Sequence, residues 1–291
     1  MHIINYKNTK DFEKDVDDLS KLFEFVDWDF FKNNYHKKNT KPYALLTFDD
    51  GLIQFRDIII PILLRKGIYA INFINPAFVE NRDMMYRLKA SLLIDKIKNK
   101  GNSITSEVQS YLNLKSNSAE EAINSIKNIR YEHKNQFNDL AHFLNVDFDE
   151  YLNKEKIYLD AQDLEFAQSN GFGIAAHSWN HPYLADLPLE SQLLEVKQSV
   201  EYMIEKKYIS DGFAFPFTDY NLTSEFFHKM FANNQTLQLS FGTAGVKLDC
   251  IEKNFQRIPM ENGFSALDEI NFENNYYQFK KIFKKNKIFR P

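Results

Sequence analysis

The feature that most restricts the fold is a repeated alternation of short apolar runs with helical stretches. Tyr43 to Phe48 is mostly apolar and closes on Asp49-Asp50-Gly51. Short apolar runs bounded by turn residues read as buried strands. Leu52 to Lys66 follows as a helix, with Pro61 starting a new turn and Gly67 as its C′ residue. Ile68 to Ile74, rich in Ile, Tyr and Phe, reads as the second strand, and Asn75-Pro76 stops it. The alternation resumes with a helix over Asp160–Ser169, a strand over Gly173–Ala176, a helix over Pro188–Lys207 and a strand over Gly212–Phe215. A helix at Ser224–Asn233, strands at Leu237–Phe241 and Phe255–Pro259, and an amphipathic helix at Ala266–Lys285 complete it. Strand–helix alternation of this kind predicts an α/β domain built on a parallel sheet.

The pattern lapses between Arg82 and Leu152. Here the sequence predicts helices at Tyr86–Lys100 and Ser118–Leu144, the second opening with Ser118 and Glu121 at capping-box spacing. No strand stands between them. The expectation is one domain over residues 1–291 with a helical insertion at about 82–152.

With 291 residues, 44% of them hydrophobic and 26% charged, the chain can bury a full core without disulfides. A net charge of −4 removes the general electrostatic case for nucleic acid. No apolar run approaches the ~18 residues of a membrane span, so no transmembrane segment is expected. Residues Met1 to Lys14 lack the basic-then-apolar order of an export signal, and Cys250 is the sole cysteine, so the expectation is a cytoplasmic protein. Lys280, Lys281, Lys284 and Lys285 read as a solvated helix face.

Three strand ends carry chemistry. At Thr47-Phe48-Asp49-Asp50-Gly51, two adjacent carboxylates cannot both enter a core without large cost. Gly51 permits a turn at which one binds a cation while the other takes a proton; a solvated turn is the alternative. His177-Ser178-Trp179-Asn180-His181 places two imidazoles at i and i+4, which meet on one face of a helical turn and are usual ligands for zinc. The alternative is a pair of satisfied histidines. Phe213-Ala214-Phe215-Pro216-Phe217 is either an aromatic core strand or one that offers aromatic walls and a backbone N–H to a substrate.

In order and content these segments resemble the polysaccharide deacetylase family (carbohydrate esterase family 4, the NodB-homology domain). TFDDG at 47–51 matches the family's first motif in full, and HSWNH at 177–181 fits its second, H-[ST]-x-x-H. The resemblance spans roughly 43–80 and 160–262 and leaves the helical insertion unexplained. It implies a distorted (β/α) barrel with its site at the C-terminal ends of the strands. It implies that Asp49 is the catalytic base and that Asp50, His177 and His181 hold a divalent metal, most often Zn2+. It further implies an oxyanion-binding N–H from Phe217, after Pro216. The implied substrate is an N-acetylated sugar. The missing export signal further leads to the expectation of a glycan precursor met inside a bacterial cell, in surface polysaccharide metabolism.

Two positions depart from the family pattern. Ala214 stands where the third motif usually has an arginine that supports the base, and no Leu-x-His follows to supply the general acid. His228, the only later histidine, falls within a predicted helix. The substitutes lie in Arg257-Ile258-Pro259-Met260-Glu261: Arg257 for the guanidinium, and Glu261 as an acid if burial raises its pKa. An ordinary strand-end salt bridge is the alternative there. Two other functions stay open: hydrolysis of a non-sugar amide, and a non-catalytic glycan-binding or assembly protein on a degenerate esterase fold.

Overall fold

Runs too short for a stable helix, and rich in β-branched and aromatic residues, fit the buried pleated surface of a central strand. The computed structural model describes residues 9–37, 39–99, 101, 104–260 and 263–291. Six strands form one all-parallel sheet: β1 (Leu46–Asp49), β2 (Ala70–Ile74), β3 (Gly173–Ala176), β4 (Gly212–Ala214), β5 (Leu239–Gly242) and β6 (Asn254–Gln256). They neighbour one another in chain order. The sheet curls into the distorted half-barrel that the resemblance implies, and side chains of β1 meet a residue that follows β6 although these strands are opposite edges.

Parallel sheets are stable only when both faces are covered. On the convex face, Ala70, Ile74, Ile174 and Ala176 pack against helices α3 (Ile60–Lys66), α9 (Ala161–Ser169), α10 (Leu189–Lys206) and α11 (Ser224–Asn233). The concave face carries Ile71, Phe73, Ala175, Ala214, Leu239 and Phe241. Trp28, from α2 (Trp28–Asn34), fills this face, with its ring 5.9 Å from that of Phe241. Gly212 makes room for it, because a Cβ there would sit 2.8 Å from the indole.

The chain divides into two compact units: residues up to Glu80 together with Tyr158–Pro291, and Asn81–Ile157. The second unit contains only helices among its described elements: α4 (Tyr86–Asn99), α5 (Ser106–Tyr111), α6 (Ala119–Asn128), a 3-10 turn at Tyr131–His133, α7 (Gln136–Leu144) and α8 (Phe148–Lys154). The single helix expected over Ser118–Leu144 is therefore broken. Ile129 and Arg130 are extended, and Ile129 is buried. Ser118 does cap α6, but the Glu121 carboxylate accepts from the N–H groups of Lys115 and Ser116 rather than closing a reciprocal box.

Other expectations shift locally. The helix expected from Leu52 opens as a π-turn over Phe55–Ile59 and becomes regular only in α3. Pro61 has no N–H for the usual ladder, which favours such a break. Gly67 ends α3 at φ 63°, as its position predicts. Two helices escaped the sequence reading, α1 (Thr9–Leu22) and α2. Phe12, Val16 and Leu19 nonetheless form one buried stripe along α1, which packs against α12 (Ala266–Ile282).

Candidate metal centre and active site

The site is built where β1 and β3 end. Side chains alternate along a strand, so Thr47 and Asp49 share a face. In register they lie beside Ile71 and Phe73 of the concave cluster. Asp50 then leaves the strand at φ 75°, followed by Gly51 at φ 66°. Gly51 meets two demands, since a Cβ would also lie 3.0 Å from Ile74 Cγ2. The turn sends the two adjacent carboxylates to different partners.

Asp49 is clamped by a guanidinium. Arg257 Nη1 and Nη2 donate to its two carboxylate oxygens, each at 2.7 Å, and Nη1 also donates to Thr47 Oγ1 at 3.2 Å. Fork-to-fork geometry of this kind is the strong form of the ion pair. Arg257 follows β6, hydrogen-bonds the Gly242 carbonyl through its backbone N–H (3.0 Å) and lies 5.6 Å over the Phe73 ring. A guanidinium thus reaches Asp49 from the far edge of the sheet, the place at which the sequence offered either a support for the base or an ordinary salt bridge. Ala214 is wholly buried and its carbonyl has a separate use.

That carbonyl lies 2.8 Å from His177 Nδ1. A carbonyl can only accept, so Nδ1 carries the proton and Nε2 turns its lone pair outward. Nε2 faces Asp50 Oδ1 at 3.4 Å and Asp49 Oδ2 at 3.8 Å, while His181 Nε2 lies 3.0 Å from Asp50 Oδ1. Both histidines are almost fully buried.

The spacing suggested that the imidazoles meet on a helical turn, and here the structure differs. Residues 177–181 are not helical, and Ser178 (φ 64°) and His181 (φ 55°) adopt left-handed conformations. Hydrogen bonds hold this loop. Asn75, at the end of β2, donates to the carbonyls of His177 and Ser178, and Ser178 Oγ accepts from His181 N at 3.1 Å. Glu195 of α10 accepts from the backbone and side chain of Asn180 at 2.7 and 3.1 Å. Asn75 reads in sequence only as a strand stop, and Glu195 gives no signal, because both act on loop backbone or a neighbouring amide rather than through a motif.

Electrostatics follow from this packing. Burial pushes the Asp49 carboxyl up, but the Arg257 guanidinium and His177 outweigh it, and its pKa falls below the usual carboxylate range. Burial likewise opposes ionisation of Asp50, yet the two imidazoles hold it far below that range. For His177 burial is opposed by Asp49 and Asp50, which raise it on balance. Asp50 Oδ1 and His181 Nδ1 are buried without a hydrogen-bond partner among the described residues. One ligand atom from each of Asp50, His177 and His181 falls within a 4.8 Å cluster. A buried carboxylate oxygen facing two imidazole nitrogens, one of them fixed as a lone pair, is a donor set that fits a divalent cation.

Phe215 is core, wholly buried as an aromatic strand residue would be. Phe217, after Pro216, is 41% exposed, adopts φ 57° and sets its ring 4.5 Å from His181. Glu261 lies outside the described residues. His228 is on the exposed side of α11.

Residues 36–151 match the family model described as polysaccharide deacetylase. The match takes in TFDDG and the helical insertion, which the motifs had left outside the resemblance, and ends before HSWNH. No curated protein matches the chain. Among solved structures, a Streptococcus pyogenes deacetylase, PplD, in complex with acetate is similar at TM-score 0.54 and 15% identity, covering 91% of this chain and 86% of that one. IcaB from Ammonifex degensii gives TM-score 0.55 at 13% identity, covering 90% and 89%. A de-N-acetylase from Aggregatibacter actinomycetemcomitans gives 0.50 at 13%, covering 90% and 87%. At these identities the likeness is one of fold. The family-model match over residues 36–151 and the two motifs make the chain similar to the polysaccharide deacetylase family, and the solved structures show that the fold is shared.

Proposed function

We propose that the chain is a metal-dependent hydrolase that removes the N-acetyl group from a sugar or glycan precursor, in bacterial surface polysaccharide metabolism. The observation that carries this reading is the pairing of two functions in one turn: Asp50 clusters with His177 and His181, while Asp49 beside it is held by Arg257. Names of similar folds support the reaction type, two of them being called deacetylase or de-N-acetylase.

Asp50, His177 and His181 would hold the cation, most plainly Zn2+ given two imidazoles and a carboxylate. Such an ion supplies Lewis acidity toward an amide carbonyl and makes water acidic near neutrality. Asp49 stays ionised at neutral pH and takes a proton from the attacking water. Arg257 keeps it charged and aimed. The backbone N–H of Phe217 is assigned to the developing oxyanion, and its exposed ring offers an apolar wall to a sugar. Glu261 is assigned to protonate the leaving amine.

The test is acetate release from a panel of N-acetylated hexosamines and their oligomers beside linear acetamides. The account expects release from the sugars, and a fall of about 10²–10⁴-fold in Asp49→Asn, the usual range for a lost general base. Cleavage confined to linear amides would move the substrate class, and undiminished activity in Asp49→Asn would remove the mechanism.

A further inference from the structure

We propose that the second half of α12 and the residues after it form a docking face for an anionic membrane surface. The buried residues of helix α12, Ala266, Glu269 and Ile270, all lie in its first turns. No residue from Asn271 to Ile282 is buried. Phe272, Tyr276, Phe279 and Phe283 nevertheless recur at i, i+4, i+7 and i+11, which places them on one face of a helix. Their rings pair along it, Phe272 with Tyr276 at 5.9 Å and Phe279 with Phe283 at 5.0 Å. Phe272 is 63% exposed, and Ile282 and Phe289 are more exposed still, at 76% and 75%. A contiguous apolar stripe left open to water marks an interaction surface.

Charge selects the partner. Residues 280–291 hold six basic side chains and no acidic one, in a chain whose net charge is −4. Arg290 is engaged with Asp219 and Asp249, but Lys280, Lys281, Lys284, Lys285 and Lys287 make no ion pair among the described residues. Lys280 instead lies 4.8 Å over the Tyr276 ring. Aromatic residues along one face with lysines around them are the composition of a helix lying in the headgroup region of an anionic bilayer. A second copy of the chain fits poorly, because a two-fold contact on this face brings its lysines against themselves. Among the described residues no helix is long and apolar enough to cross a membrane, so the contact is peripheral.

Co-sedimentation of the full chain with phosphatidylcholine vesicles, with and without about 30% phosphatidylglycerol, tests this. The expected result is binding only to the anionic vesicles, weakening with salt as exposed charge pairs are screened. Each lysine replaced by glutamine among Lys281, Lys284 and Lys285 should reduce partitioning about five-fold. Phe279→Ser with Phe283→Ser should reduce it further, with acetate release from soluble substrate unchanged. The lysine variants alter no packed residue, so they decide the matter even where the aromatic pair fails to fold. Equal binding to neutral vesicles, no binding by the folded chain, or tighter binding to a single-stranded oligonucleotide would overturn the proposal. So would a dimer that the two serine substitutions dissociate.

Discussion

Asp49 and Asp50 show how one backbone angle gives adjacent carboxylates different partners. Strand alternation keeps Asp49 on the concave face with Thr47, and the left-handed turn at Asp50 turns the next carboxylate to the histidines. The motif letters made both aspartates and both histidines visible, and the departure at Ala214 pointed to Arg257. Asn75 and Glu195 were not visible, since hydrogen bonds that fix a loop have no spacing signature. Arg257 gives the sharpest residue-level prediction. Burial raises the Asp49 carboxyl and Arg257, with His177, brings it below its ordinary value. In Arg257→Gln the carboxyl should therefore rise, and the acid limb of a kcat/KM–pH profile should move to higher pH. A limb that stays put or moves to lower pH would show that Arg257 does not set the ionisation of Asp49.

At the scale of elements, strands were read well because buried parallel strands are short, apolar and closed by turn residues. Gly173–Ala176 is found with the bounds expected. Helix α1 was missed because its frequent charges obscure a stripe of only Phe12, Val16 and Leu19, and the break at Ile129 carries neither glycine nor proline. The non-helical path of residues 177–181 depends on Asn75 and Ser178, which tertiary contact supplies. The turn after β1 is the element most exposed to a single change. Gly51→Ala combines a left-handed backbone with a Cβ 3.0 Å from Ile74. It should cost about 1–2 kcal/mol in urea unfolding and lower acetate release more than stability alone explains, because Asp50 is displaced. Unchanged stability would mean that the turn relaxes freely.

For the whole molecule, closure of the sheet was legible only through the resemblance: strand periodicity enumerates the strands but does not by itself bring Arg257 beyond β6 to Asp49 on β1. A second long-range cluster ties down residues 287–291. Arg290 donates to Asp219 and Asp249, whose carboxylates also accept from Asn254 and Gln256. All three charged side chains are at most 2% exposed. Removing the cation strands two buried carboxylates, so Arg290→Met should cost about 3–5 kcal/mol. Burial pushes the Asp249 carboxyl up, but Arg290 and nearby amides bring it below its ordinary value. Its contribution is then present above the unfolded pKa of about 3.9 and is lost as pH falls through the lower folded value. Urea unfolding at neutral and strongly acid pH should show a smaller acid loss in Arg290→Met than in the unmodified chain, and an equal loss would remove Asp249 from the linkage.

The account rests on adjacent aspartates having different roles, and metal content measures that directly. After zinc reconstitution and removal of excess ion, the unmodified chain and Asp49→Asn should each retain about one metal per chain, and His177→Ala should retain none. A metal-free unmodified chain, or one whose metal survives His177→Ala, would contradict the assignment of Asp50, His177 and His181 as the ligand set.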